Sequence, residues 1–364
     1  MFAGEAEKSV VNTVLSYDNE NHLHLGRDEF MRTNNAFYVL VGALLMAACT
    51  PPADSSLVVY SARNEQLIKP VFDLYEQETG IKIDFVTDKA EVLMQRLIAE
   101  GKNGPADLLI TVDAGNLWHS AREGLFQPVE SSVLEANIPG HLRDRDQQWF
   151  GISVRARTIV YDPAAVSRDE LVNYFDLAKP KWKGRLCLRT SKKVYNQSLV
   201  AMLIAQYGEQ ETEVVVRAWV DNLATDVFSD DTRLMKAILA GQCQLGVVNS
   251  YYFGRLQKAQ PDLPLALFWP AASDGGVHVN VAGAGVTRFA PRREKAVAFL
   301  EWLSQPAAQA VFASVGMEFP ANPAVEPDPL VVSWGAFEAS PVDVVSAGEL
   351  QADAVRLMDR AGYH

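Results

Sequence analysis

The chain has 364 residues, enough for two domains of ordinary size. Its 45 Asp and Glu against 33 Lys and Arg give a formal charge of −12 at pH 7, which argues against a nucleic-acid-binding face, because such a face needs a basic stripe. With 48% hydrophobic and 21% charged residues, and no repeat or low-complexity tract, the composition is that of a soluble globular protein.

The first thirty residues carry Glu5, Glu7, Asp18, Glu20, Asp28 and Glu29 against Lys8 and Arg27, the wrong charge for the front of an export signal. Met31 and Arg32 then give a short basic start to the run MRTNNAFYVLVGALLMAAC, whose apolar core is Ala36–Ala48. That core is short for a bilayer span and suits a secretion signal; a buried apolar helix is the other reading. The ending LMAAC resembles a bacterial lipobox, with Met46 where leucine is usual, and the resemblance implies that Cys49 is lipidated. The expected division is therefore a mis-assigned extension over 1–30, translation from Met31, a lipoprotein signal peptide over 31–48 and a flexible tether over 49–55. His22 and His24 fall in the extension and carry no metal-binding weight.

From Ser56 onward strands and helices alternate. SLVVYSA reads as a strand, QLIKPVFDLYEQETG as an amphipathic helix closed by Gly80, and IKIDFVT as a second strand. A helix with apolar Val92, Leu93, Leu97 and Ile98 follows, then the strand ADLLITVD. This rhythm implies a parallel sheet with ligands beyond the carboxyl ends of its strands, next to the loops Ser61–Glu65 and Val112–Asp113. A second unit, from about Val154 to His278, holds RTIVYDP, the strand GRLCLRT, a helix around Leu199–Tyr207, the helix LMKAILAG and the strand QLGVVNS. HVNVAGAGV (278–286) reads as a glycine-rich strand returning to the first unit, where REKAVAFLEWLSQPAAQAVFASVG supplies a helix pair. The chain thus crosses between lobes twice, near 152–155 and 277–281, which makes a hinge and a cleft. The expected lobes are 56–153 with 279–323, and 154–278, with a C-terminal helical segment over 324–364.

Export would leave Cys187 and Cys243 in an oxidising compartment. RLCLR and GQCQLG both read as strand or strand-adjacent, so a disulfide would tie the segment before Tyr195 to that before Tyr251; two separate buried thiols is the alternative.

Enzymatic signatures are missing: there is no G-x-S-x-G, G-x-x-x-x-G-K-[ST], H-E-x-x-H or C-x-x-C, and His119, His141, His278 and His364 are scattered. Two strand-to-helix junctions remain, KKVYNQSLVAML with Tyr195 and NSYYFGRL with Tyr251 and Tyr252. Read as strand, polar cap and helix, the second junction lets two adjacent phenols converge on one point; read blandly, one tyrosine is core and the other surface. A phenol titrates near pH 10 and is a poor base at neutral pH, but a trivalent cation stabilises phenolate as a hard anionic ligand. Ferric iron fits that chemistry, and arginines could offset any excess negative charge.

The phrases YSARNE, RARTIVYDP, VYNQSLVA, VNSYYFGRLQ, GGVHVNVAGAGV and EFPANP stand in the order seen in the periplasmic ferric-iron-binding proteins of ABC transporters, and over about residues 56–364 the chain resembles that family. The resemblance implies a two-lobed type II periplasmic-binding-protein fold, α/β, each lobe a mostly parallel sheet flanked by helices. It implies Tyr195, Tyr251 and Tyr252 as ligands of transported Fe³⁺, with Arg155 and Arg255 near the metal. Where relatives carry His-Tyr after YSAR, this chain has Asn64-Glu65. Either Glu65 serves as an oxygen ligand, or a carbonate-like anion or water held by Arg63 or Arg155 fills the position. The expectation is a monomeric, lipid-anchored periplasmic protein of a Gram-negative bacterium that delivers ferric iron to an ABC permease. The runner-up is the same fold binding an organic anion, a polyamine or a phosphorylated compound. An exported enzyme is set aside because no nucleophile is paired with a base.

Overall fold

Alternating apolar runs and turn residues give the first third of the chain its parallel strands. The computed structural model describes residues 56–364; the expected extension, signal peptide, tether and Cys49 lie outside the described residues. In chain order, β1 (Leu57–Ser61), α1 (Glu65–Thr79), β2 (Ile83–Thr87), α2 (Ala90–Glu100), β3 (Leu108–Val112) and α3 (Ala114–Arg122) form the expected βαβαβα series. β1 pairs in parallel with both β2 and β3. Helix α1 starts at Asn64, whose side chain accepts a hydrogen bond from the Gln66 amide, and stops at Gly80 in the left-handed region (φ 71°). It buries Ile68, Val71, Phe72 and Tyr75, the i, i+3, i+4, i+7 stripe of a one-faced helix. Helix α2 departs from expectation. It buries Ala90, Leu93 and Leu97, while Val92 and Ile98 are 46% and 45% exposed, since each sits a helical step of about 100° off the buried stripe.

After α4 (Ser132–Asn137), strand β4 (Phe150–Tyr161) runs for 12 residues, every one buried. The next elements are β5 (Leu186–Cys187), α5 (Val194–Tyr207), α6 (Glu209–Asp221), α7 (Asp231–Leu239), β6 (Leu245–Asn249), α8 (Ser250–Ala259) and β7 (Ala266–Phe268). Strand β8 (His278–Val286) leads back to α9 (Arg293–Leu303), α10 (Pro306–Gly316), β9 (Phe319–Pro320), α11 (Pro329–Val332), α12 (Ser346–Glu349) and α13 (Gln351–Arg360).

The strand order is β2-β1-β3-β8-β4-β6-β5, with β7 and β9 also paired to β4. The sheet is parallel within β1–β2, β1–β3 and β5–β6, and antiparallel wherever β4 or β8 takes part. β4 and β8 pair from Phe150–Ala284 to Arg157–His278 and so span both halves of the molecule, at the places where two crossings were expected. The glycines of β8 have a packing reason. A Cβ at Gly283 would lie 2.5 Å from Leu117, and one at Gly285 2.6 Å from Phe126.

Two apolar clusters, around Phe72, Ile110 and Phe299 and around Leu109, Leu117 and Trp149, lie in the first half. Two more, around Trp182, Leu199 and Trp219 and around Leu234, Val248 and Phe253, lie in the second. From this partition we propose lobes of 56–153 with 279–323, and of 154–278. The stretch 324–364 joins both halves: α12 packs on α3 and α5, and α13 on α5 and α6. Cys187 of β5 and Cys243, just before β6, form a disulfide (S–S 2.00 Å) within the second half.

Candidate metal centre

Tyr195, Tyr251 and Tyr252 all line one cavity of ≈ 240 Å³, together with Ala62, Arg63, Asn64, Leu67, Val112, Arg155, Arg255 and Glu318. The consecutive tyrosines are both possible because β6 ends at Asn249 and α8 begins at Ser250. Their rings lie 4.4 Å apart between centroids and tilt by 33°. Tyr195 occupies the equivalent place at the start of α5. Neither helix has a side-chain cap: Lys193 before α5 and Asn249 before α8 make no such bond. The positive ends of both helix dipoles therefore lie beside the phenols.

Asn249 fails as a cap because its side chain is committed elsewhere. Its amide nitrogen donates to the Tyr251 hydroxyl (3.2 Å), and its oxygen accepts from Arg157 Nη1 (3.1 Å). Arg157, fully buried, also donates to Asn196 of α5 (3.0 Å from Nε) and to Asp231 (3.1 Å). One guanidinium on β4 therefore anchors the starts of both tyrosine-bearing helices. Asp231 in turn accepts from the Asn249 backbone N–H (2.9 Å) and pairs with Arg189 (3.4 Å).

Guanidinium groups surround the rings. Arg255 lies 4.7 Å from the Tyr251 ring centroid and 5.9 Å from that of Tyr252; Arg155 lies 5.4 Å from Tyr251. Arg189 lies 5.3 Å from Tyr195 and 5.7 Å from Tyr252, bridging the two junctions. Burial, followed by the neighbouring phenols of Tyr195 and Tyr252, raises the pKa of Tyr251 well above 10. Its phenol is therefore neutral until a cation compensates the charge.

On the opposite wall Arg63 is buried, and both of its terminal nitrogens donate to Glu318, at 3.1 Å each. Arg155 donates to the same carboxylate at 3.1 Å. Burial pushes the Glu318 carboxyl up, but Arg155 and Arg63 outweigh it and hold the pKa down at about 2. Asn64 lines the cavity; Glu65 does not, because it is the exposed first residue of α1. The structure thus brings the three tyrosines, Asn64 and the three arginines of the sequence reading together and leaves Glu65 outside. Among the described residues, no group of three or more His, Cys, Asp and Glu side chains could hold a metal ion.

Sequence reasoning passed over Arg157, Arg189, Asp231 and Glu318. Arg157 had a signal: in RARTI it stands two residues after Arg155, on the same face of a strand. Glu318 opens the phrase EFPANP, but neither it nor Asp231 had a signal for its partner, since both reach their arginines only across elements distant in sequence.

Residues 71–339 match the family model of the bacterial extracellular solute-binding proteins. The chain belongs to this family. The solute-binding protein described here is 38% identical to iron uptake protein A1 of Synechocystis, over 93% of this chain and 99% of that one. It superposes on the structure of Trichodesmium FutA in complex with iron and citrate with a TM-score of 0.81, at 38% identity, over 85% of this chain and 100% of that one. The ferric binding protein of Campylobacter jejuni gives a TM-score of 0.79 at 33% identity, over 85% of this chain and 100% of that one. The fold is that of the type II periplasmic binding proteins.

Proposed function

We propose that this solute-binding protein captures ferric iron through the phenolates of Tyr195, Tyr251 and Tyr252 and hands it to an ABC permease. One observation carries the reading: three phenols from two helix starts share a cavity with arginines, while Glu65, the one carboxylate expected to reach metal, lies outside it. Three phenolates neutralise a trivalent cation, and hard oxygen donors suit it. The names of relatives that bind or take up iron support the cargo. The molecule acts as a carrier and not as a catalyst.

With Glu65 outside the cavity, the remaining metal positions go to an exogenous anion or water. Arg155 is the natural anchor, because its Nη1 and Nε are buried without a hydrogen-bond partner. A carbonate- or carboxylate-type anion fits, and the iron and citrate in the Trichodesmium structure support this class. The protein works outside the cytoplasm, tethered through lipidated Cys49; mass spectrometry of the mature N-terminus should find a diacylated Cys49, and a free Met1 would contradict export.

Titrating purified protein with a ferric salt and bicarbonate should produce a visible phenolate-to-iron charge-transfer band. Tyr251→Phe and Tyr252→Phe should each bleach or blue-shift it. A colourless titration in the unmodified protein would favour an organic anion as the solute.

A further inference from the structure

Glu318 follows Met317, which sits in the left-handed region (φ 56°, ψ 36°) and turns the chain from α10 into β9. That turn sets the carboxylate into the cavity wall, 1% exposed. Its acceptor capacity is spent. Oε1 accepts from Arg63 Nη2 and Arg155 Nη2 (3.1 Å each), and Oε2 accepts from Arg63 Nη1 (3.1 Å) and the Ser153 hydroxyl. A carboxylate holding four donors cannot ligate a metal without breaking an ion pair. Arg63, for its part, has both terminal nitrogens engaged by Glu318 and Ser153 and only its Nε unpartnered, whereas Arg155 keeps both Nη1 and Nε.

We propose that Glu318 determines which anion accompanies the metal. It withholds Arg63 and leaves the cluster Arg63, Arg155 and Glu318 with one net positive charge, so the site takes a small mono- or dianion of the carbonate or carboxylate class rather than a more highly charged oxyanion. The inference rests on the reading of an anion beside the three tyrosines. Without the carboxylate, both guanidinium forks would face the cavity, a geometry suited to bidentate capture of a polyanion.

The test is a charge series in the full chain. Arg63→Gln leaves the cluster neutral; the unmodified protein and the Arg63→Gln/Glu318→Gln double variant carry +1; Glu318→Gln carries +2. Ferric iron is supplied with bicarbonate or with pyrophosphate, and the charge-transfer band gives an apparent Kd for each. The pyrophosphate-to-bicarbonate preference should rise roughly tenfold per unit of charge. The double variant should return to the unmodified ratio, which a merely structural role would not produce. Circular dichroism identifies the folded variants, and any two differing in charge suffice for the ordering. An unchanged ratio among them overturns the proposal. So does a band insensitive to both anions. A Tyr252→Phe protein with the unmodified band and affinity would instead overturn the tyrosine site itself.

Discussion

The two walls of the cavity are built on different physical plans. The second-half wall offers phenols on two helix starts, fixed from behind by Arg157 and Asp231. The first-half side of the cavity lining offers neither a phenol nor an imidazole; it carries the ion pair of Arg63 and Glu318 and the start of α1. In the proposed function one wall trades protons for a metal ion, and the other adjusts charge. On the proposed reading, metal affinity belongs to one half of the molecule and anion choice to the boundary between the halves.

Substitutions in the tyrosine wall should have the largest effect. Tyr251→Phe or Tyr252→Phe removes a proposed ligand, and its loss should exceed the 10–100-fold typical of residues behind a metal ligand, reaching about 10³-fold in ferric Kd by competitive titration. Asp231→Asn comes next. It leaves Arg157 and Arg189 buried without their counter-ion, so denaturant unfolding should show a loss of about 3–5 kcal/mol. A smaller cost, about 2–4 kcal/mol, is expected for Cys187→Ser with Cys243→Ser, measured in the same way. That change lies behind the wall, and the iron band should keep its position.

Two buried carboxyls sharpen the contrast through pH. Glu318 faces guanidinium groups and is held at about 2. Asp113, at the start of α3, accepts from Ser198 (2.6 Å), Asn280 (2.7 Å) and the Gly115 amide (2.8 Å), neutral donors all. Burial dominates there and raises its pKa to about 7. The signs are opposite. Glu318 contributes stability that is present above its unfolded pKa near 4.5 and is lost as pH falls toward 2. Asp113 binds its proton more tightly folded than unfolded, so its contribution is greatest below about 4 and is lost as pH rises to about 7, by at most about 1.4 kcal/mol per pH unit. Asp113→Asn should flatten the stability profile between pH 4 and 7; a slope unchanged from the parent protein would refute that account.

Ligand-facing chemistry was legible in the sequence wherever it was local. The junction NSYYFGR announces a strand end, a helix start and two adjacent phenols, because all three depend on neighbouring residues. The β4 and β8 crossings were visible for the same reason, as the strand patterns RTIVYDP and the glycine-rich HVNVAGAGV. Glu65 was read as a candidate ligand because Asn64-Glu65 stands where relatives carry His-Tyr, yet it does not line the cavity. In α1 the helix start turns Glu65 to solvent while Arg63, two residues earlier, is buried.

The sequence by itself determined the order of elements, the two crossings and the phenol-bearing junctions, since propensity, periodicity and capping act over a few residues. Only the tertiary structure decided which charges meet. Glu318 reaches Arg63 across 255 residues and Asp231 reaches Arg157 across 74, and no local pattern encodes such pairs. They arise because a buried charge must find its counter-ion wherever packing puts one.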